Sequence, residues 1–381
     1  MKAEAWIRGM TAGVLAGMAL ALPILFMITA KKDFSENENR YLAGFPEFGW
    51  QQVREGAYMD GLTDYVSDHF PFRDFWISLK TGVELSAGKK KINGIFIAKD
   101  GYLIEEYEKP ENTERIAEIL KSFAQKVASL ERENPVEVRL MLTPTAVSSL
   151  KEKLPDYAAV NDQMETAGYL YQATGIAAVD CSEWLEKGKG EGELYYKTDH
   201  HWTTFGAYMG YRAYCSEMGF APVELEELTA QTVTEDFHGT LYSRAGVYGH
   251  KGDSITIYAN PDDRLEVKYL DTGETSDSLY NLEYVDKKDK YSLFLNNLHP
   301  LIEITNEAAV TDRELVLIKD SYANSMAPFL VHHFKKVYVF DTRYYKEGPS
   351  SFIAEHKDVT DVLLLYNMNT LDGDLGVRGV Y

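Results

Sequence analysis

The sequence predicts an α/β protein, a parallel sheet covered by helices, carried behind an N-terminal apolar helix. Residues 10–30, MTAGVLAGMALALPILFMITA, hold no charged residue and are long enough to cross a hydrocarbon layer as a helix. Further on, amphipathic helical stretches alternate with short apolar runs, the order that builds a parallel sheet with helices on its faces. Between about 219 and 309 the alternation gives way to short strands and turn residues, which read as a mostly β insertion.

Taken in order, Lys2 and Arg8 precede the apolar run and favour a cytoplasmic N-terminus. A cleaved signal would be cut best after Ala19-Leu20-Ala21 and would leave an apolar stub, so an uncleaved signal anchor over 1–32 is the expectation. That places a single-pass protein in the cell membrane with its main body extracytoplasmic. Residues 33–57 read as a stalk and 58–381 as the globular domain. Apolar residues at helical spacing on both sides of Pro71 predict two helices within 58–85. A hairpin follows over 92–105, with Lys99-Asp100-Gly101 as its turn. Helices are then expected at 112–133, 161–173 and 203–218, with strands at 136–144 and 175–182 between them. Inside the insertion, 254–259 and 264–270 read as strands. The α/β order resumes with strands at 314–318, 336–341 and 361–367, and a helix begins at SYANSMAPFLVHHF.

Composition narrows the partners. Hydrophobic residues at 45% and aromatics at 13% supply an ordered core rather than a disordered chain. A formal net charge of −20 repels phosphate backbones and argues against nucleic acid. The two cysteines, Cys181 and Cys215, form no CxxC pair and so no zinc-finger set. In an oxidising compartment they can bridge, which needs Cα atoms within about 7 Å; two buried thiols are the other reading.

The chemistry concentrates in two stretches. KDS ends with Ser321 just after the strand at 314–318, at the strand-to-helix turn where open α/β sheets keep their active sites. Free backbone N–H groups at a helix start can hold an oxyanion. A serine hydroxyl needs a base, and the base needs an acceptor that fixes its tautomer. TDHHW offers both. Asp199 and His201 stand two residues apart, on one side of an extended segment, with His200 pointing away. The same residues also read as a helix cap and a polar loop. Zinc held by Asp199, His200 and His201, with His332 or His333, is disfavoured because neighbouring strand residues point apart, so no metal is expected.

Eight stretches extend the signal: FSENENRYLAGFP, DHFPFRDFWISLK, AKDGYLI, TDHHWTTFGAY, DFHGTLYSRAG, HPLIEITN, IKDSYANSMAPFL and YVFDTRYY. Together they resemble the DHHW family of the SGNH hydrolase-like superfamily, related to alginate and cell-wall polysaccharide O-acetyltransferases. The resemblance implies a flavodoxin-like SGNH sheet in which the Asp-His element precedes the serine, a circularly rearranged order. It puts the nucleophile at Ser321 and the D-x-H element at Asp199 and His201. Lys319 stands where the wider superfamily has glycine. A second oxyanion donor would come from Asn297, Asn367 or Asn369, and Arg343 would orient the serine loop or bind substrate. The implied function is extracytoplasmic O-acetylation of a cell-surface or exported polysaccharide, with no cofactor. Acetyl-CoA is cytoplasmic, so a membrane-bound O-acyltransferase partner would hand the acetyl group across. A carbohydrate acetylesterase would use the same residues with water. A non-catalytic polysaccharide-binding assembly protein is the third expectation, since 26 tyrosines suit sugar stacking as well as a core.

Overall fold

The computed structural model describes residues 2–35, 40–247, 249–371 and 375–380. The chain divides into two compact units, Met1–Lys89 with Gly246–Tyr248, and Lys90–Ala245 with Gly249–Tyr381.

The first unit opens with α1 (Lys2–Ile28), in which the 23 residues Trp6–Ile28 have a mean hydropathy of 2.2 over their most apolar window. That helix is long and apolar enough to cross a membrane. A two-residue ladder follows, β1 (Phe34–Ser35) antiparallel to β2 (Arg40–Tyr41). Next come α2 (Trp50–Glu55), α3 (Ala57–Asp68) and α4 (Arg73–Ser86). The expected break at Pro71 falls between α3 and α4, because proline cannot donate to a continuing helix.

The second unit begins with β3 (Lys91–Ile92), β4 (Ile95–Ile97) and β5 (Leu103–Glu105), the expected hairpin with one short extra strand. Lys99–Gly101 makes its turn. After these the chain runs through α5 (Thr113–Ala128), β6 (Glu137–Thr143), α6 (Ala146–Ser149), α7 (Gln163–Thr174), β7 (Ala177–Ala178), α8 (Ser182–Gly188) and α9 (Thr204–Met218). The strand expected at 175–182 keeps only two paired residues, at the sheet's edge. There the Asp180 carboxylate accepts from the Ser182 N–H and turns the chain into α8. Then follow β8 (Thr229–Phe237), α10 (Thr240–Ala245), β9 (Asp253–Ala259), β10 (Leu265–Tyr269), β11 (Thr275–Ser276), β12 (Leu301–Asn306), β13 (Glu314–Lys319), α11 (Ala323–Leu330), β14 (Lys336–Phe340), α12 (Pro349–Glu355), β15 (Val359–Asn367) and α13 (Leu375–Arg378).

Eight strands form the main sheet in the order β11-β10-β12-β14-β13-β15-β6-β7. From β14 to β7 every pairing is parallel, and β12, β10 and β11 add an antiparallel wing. The β-rich stretch is thus divided. β8 and β9 pair only with each other, while the later strands extend the main sheet. β13 is buried at every position, which explains why ELVLIK is a continuous run rather than an alternating one. Its chain neighbour β14 lies on one side and β15 on the other, so a switch point opens at the C-terminal end of β13.

Cys181 and Cys215 are both buried free thiols, the second of the two readings, and no disulfide joins them. Each fills a core position instead. Cys215 faces His333, with Sγ 3.6 Å from Nε2. Burial pushes both thiols up, Cys215 to about 12. Neither is expected to react with maleimide in the native protein at neutral pH, and both should react after denaturation; rapid native labelling counted by mass would contradict this.

Candidate active site

Ser321 lies two residues beyond β13, half-buried, just before α11. Asp320 fixes the turn. One of its carboxylate oxygens accepts from the Tyr322 N–H at 2.8 Å. The other accepts from the Asn367 backbone N–H at 2.6 Å, its side-chain amide at 2.7 Å and Thr370 Oγ1 at 3.0 Å. This carboxylate therefore ties the end of β13 to the end of β15.

The segment carrying Asp199 is not extended, as the sequence reading assumed. Residues 195–202 fold back on themselves through an isolated antiparallel bridge, Tyr195 to Trp202, and the Tyr196 N–H donates to the His201 carbonyl. The two imidazoles consequently lie side by side, ring centres 3.9 Å apart, instead of pointing to opposite sides. It is nonetheless His201 that faces the serine, with Nε2 2.7 Å from Ser321 Oγ. Its Nδ1 is 2.5 Å from Asp199 Oδ1. An ionised carboxylate only accepts, so Nδ1 carries the proton and Nε2 is left to accept from the serine. His200 Nδ1 is 2.7 Å from Thr240 Oγ1.

Asp199, His200 and His201 place ligand atoms within 4.8 Å of one another, a spacing that a metal ion could also use. Both nitrogens of His201 and one oxygen of Asp199 are engaged in the chain to Ser321. His332 and His333, the other expected ligands, have partners elsewhere: His332 meets Asn260 and Asp263, and His333 meets Tyr211.

A shell of hydrogen bonds from the β8–β9 region sets this loop. Buried Asp253, at the start of β9, accepts from the backbone N–H groups of Lys197 and Thr198, both at 2.8 Å. Thr198 Oγ1 lies 2.5 Å from the same carboxylate and accepts from the Gly239 N–H at 3.2 Å. Asp199 Oδ2 accepts from the Thr240 N–H at 2.8 Å and its hydroxyl at 3.1 Å. Above the imidazole, Tyr291 stacks on His201 at 3.8 Å and 9°, and its hydroxyl donates to the Ser321 carbonyl at 3.0 Å. Trp202, the next residue, is fully buried and donates to the Tyr322 carbonyl at 2.9 Å. Tyr322 in turn donates to the His200 carbonyl at 2.5 Å. His201 and Ser321 are thus locked together by reciprocal aromatic contacts.

Burial, with His200 alongside, pushes the His201 imidazole down to about 4, against the pull of Asp199. Burial alone would raise the Asp199 carboxyl, but the two imidazoles and the hydrogen bonds from His201 and Thr240 hold it below the usual range. The base is therefore neutral and its partner charged at neutral pH. An activity that needs a neutral His201 should persist well below 6.5, with the acidic limb of kcat/KM near pH 4. A limb centred at 6.5 or above would contradict this. Stability carries the same sign: the unfolded imidazole binds protons at a higher pH than the folded one, so this contribution shrinks as pH falls from 6.5 towards 4.

The other expected site residues take different places. Asn367 and Thr370 hold Asp320, as described. Asn369 accepts from Thr145 and Gln163. Asn297 accepts from Ser292 at 3.1 Å and sits at positive φ in its turn. Arg343 grips buried Asp341 with Nε at 2.8 Å and Nη2 at 2.5 Å. Lys319 Nζ approaches the same carboxylate at 3.3 Å. Burial would raise Asp341, but Arg343 and Lys319 keep it low. The side chain standing in the glycine's place is thus paired with Asp341. Sequence reasoning missed Tyr291, Thr198 and Asp253. Thr240 lay in a quoted stretch, DFHGTLYSRAG, without a role; Tyr291 lay in no recognisable pattern.

A family model described as DHHW protein matches residues 107–340. Among solved structures, a DHHW family protein from Eubacterium siraeum is 25% identical over 76% of this chain and 96% of its own, with a TM-score of 0.65. PatB1 of Bacillus cereus, solved with a sulfonyl adduct, is 23% identical over 74% and 97%, with a TM-score of 0.61. The O-acetyltransferase domain of AlgJ from Pseudomonas putida is more distant, at 12% identity over 74% and 93% with a TM-score of 0.45. No curated protein sequence matches. The main sheet with its covering helices is the parallel α/β architecture expected from the sequence, and the family match covers more than half of the residues: the chain belongs to the DHHW family.

Proposed function

We propose that the protein is a membrane-anchored serine O-acetyltransferase that modifies a cell-surface or exported polysaccharide outside the cytoplasm. The observation that carries this reading is the hydrogen-bonded chain Asp199–His201–Ser321 at the C-terminal end of β13. His201 Nε2 takes the Ser321 proton as Oγ attacks the acetyl carbonyl. Backbone N–H groups at the start of α11 hold the oxyanion. As the donor's C–O bond breaks, His201 returns the proton to the leaving oxygen and an acetyl-serine remains. A sugar hydroxyl then loses its proton to His201 and attacks the acetyl carbon; the bond to Ser321 Oγ breaks, and Oγ takes the proton back from His201. Asp199 stays ionised and steadies the imidazolium in both halves. Asn367 and Arg343 act at one remove in this scheme, through Asp320 and Asp341, to hold the strand ends on which the serine stands.

The membrane half of the proposal rests on α1, which as a retained anchor keeps the second unit near a donor passed across the bilayer by a membrane-bound O-acyltransferase. Removing residues 1–30 should release the protein from the membrane fraction; a full-length chain recovered as a shortened soluble product would overturn the anchor.

PatB1 with its sulfonyl adduct suggests the reagent for the site. Phenylmethanesulfonyl fluoride should add once, at Ser321, as read by peptide mass, and the His201→Ala variant should label far more slowly. Labelling of other residues, with Ser321 untouched in a folded and active protein, would sink the assignment. An aryl acetate assayed with and without added oligosaccharide then separates transfer from hydrolysis: acetylated sugar supports the transferase, and free acetate alone assigns an esterase.

A further inference from the structure

The first unit presents an apolar surface that its own fold leaves uncovered. On α4, Phe75, Leu79 and Val83 are 58%, 47% and 60% exposed and follow one another at four-residue spacing. With Phe72 at the helix cap, 65% exposed, they lie on one side of the helix. A helix packed on a globular core turns such a stripe inward. Here, among the described residues of α2, α3 and α4, only Thr81 is buried. Phe48 packs edge-on against Trp50 and Tyr58 at 5.3 and 5.5 Å, so a second group of aromatic rings stands on the same unit.

Contacts inside the unit set the level of this surface. Phe26, in the last turns of α1, meets Tyr65 of α3 edge-on at 6.0 Å, and Tyr65 meets Phe45 at 5.2 Å. A cavity of about 410 Å³ is lined by Thr29, Ala30 and Lys32, just past α1, and by Phe72, Arg73 and Phe75 at the start of α4. The exposed stripe therefore begins where the apolar span ends. Aromatic rings and amphipathic helices of this kind favour the boundary between headgroups and acyl chains.

We infer that α3 and α4 lie in the headgroup layer of the leaflet at which α1 ends, with Phe72, Phe75, Leu79 and Val83 inserted among the phospholipids. This rests on the reading of α1 as a retained anchor, and the test separates the two. Full-length protein is reconstituted in phosphatidylcholine–phosphatidylglycerol vesicles after placing NBD on single introduced cysteines, Val14→Cys, Phe75→Cys, Leu79→Cys and Glu217→Cys. The native thiols are buried, and wild-type protein taken through the labelling serves as the blank. The labels at 75 and 79 should show blue-shifted emission, quenched by lipids carrying a shallow nitroxide; the label at 14 should be quenched by a deep nitroxide, and the label at 217 by neither. Quenching at 14 without quenching at 75 and 79 overturns the docking and leaves the anchor standing, as it would if a protein partner rather than lipid covers the stripe. No quenching at 14 overturns the anchor, and the docking with it. A variant combining Phe72→Ser, Phe75→Ser, Leu79→Ser and Val83→Ser should fold, since those side chains are exposed, yet lose protection from added protease over 40–90 in vesicles. Unchanged protection would also overturn the inference.

Discussion

Ser321→Ala should lose acetyl transfer by ~10³-fold or more, the usual consequence of removing one member of a serine-histidine-acid set. His201→Ala should be as severe, and Asp199→Asn nearly so, because an amide in place of the carboxylate favours the wrong imidazole tautomer. His200→Ala should lose far less. Its imidazole flanks His201 and meets Thr240, but it does not reach Ser321 through any described hydrogen bond. The assay is acetyl release from an aryl ester and transfer to an oligosaccharide, with thermal melts showing that each variant is folded. Full activity in Ser321→Ala, or a dead His200→Ala beside an active His201→Ala, would remove the mechanism.

The second large effect is expected at a residue that touches no substrate. A Cβ added to Gly239 would lie 2.2 Å from both Cβ and Oδ2 of Asp199. Nothing flexible separates them, so Gly239→Ala must displace the carboxylate or the turn that leads into α10. Either movement opens the Asp199–His201 contact, and a misplacement of about 1 Å in such a set is enough for a ~10²-fold loss. Overpacking of this kind destabilises by roughly 1–3 kcal/mol, so the melting temperature should fall as well. An active, undisturbed Gly239→Ala would show that the loop yields more readily than its hydrogen bonds suggest. A neighbouring control is Gly206→Ala, whose Cβ would strike the Leu194 carbonyl at 2.1 Å. It should destabilise the protein through the base of the same loop.

Strand and helix order was readable because β13 and β15 are buried runs and α5 has a clear helical period. The serine was legible for a related reason: a nucleophile at a strand-to-helix turn is a local arrangement, written in neighbouring residues. The choice of His201 over His200 was reached through an extended segment that does not exist. Period-two reasoning fails where Tyr195 pairs back with Trp202, and a sequence carries no direct mark of an isolated bridge. The bracing by Asp253 and Tyr291 was illegible for the same reason at longer range. Asp253 reaches Thr198 across 55 positions and Tyr291 reaches Ser321 across 30, so their meaning exists only once β9 and the turn before β12 are in place. The sequence left the thiols open between a bridge and burial, because a pair of cysteines does not show how far apart the fold sets them; both are buried and free. The amide of Asn367 was expected at the oxyanion and is instead bonded to Asp320, a choice that depends on how β13 and β15 align.

His201 and Ser321 are separated by 120 positions, and the loop bearing the histidine is pinned from β9, further along the chain. Closing such long loops costs chain entropy before any contact returns it. Until β9 and β13 have both docked, Ser321 is an ordinary alcohol with no base beside it. The separation of the two residues makes reactivity a property of the whole fold: the imidazole reaches the serine only with β9 and β13 both in place, and any fluctuation that lifts β9 from the loop withdraws it again.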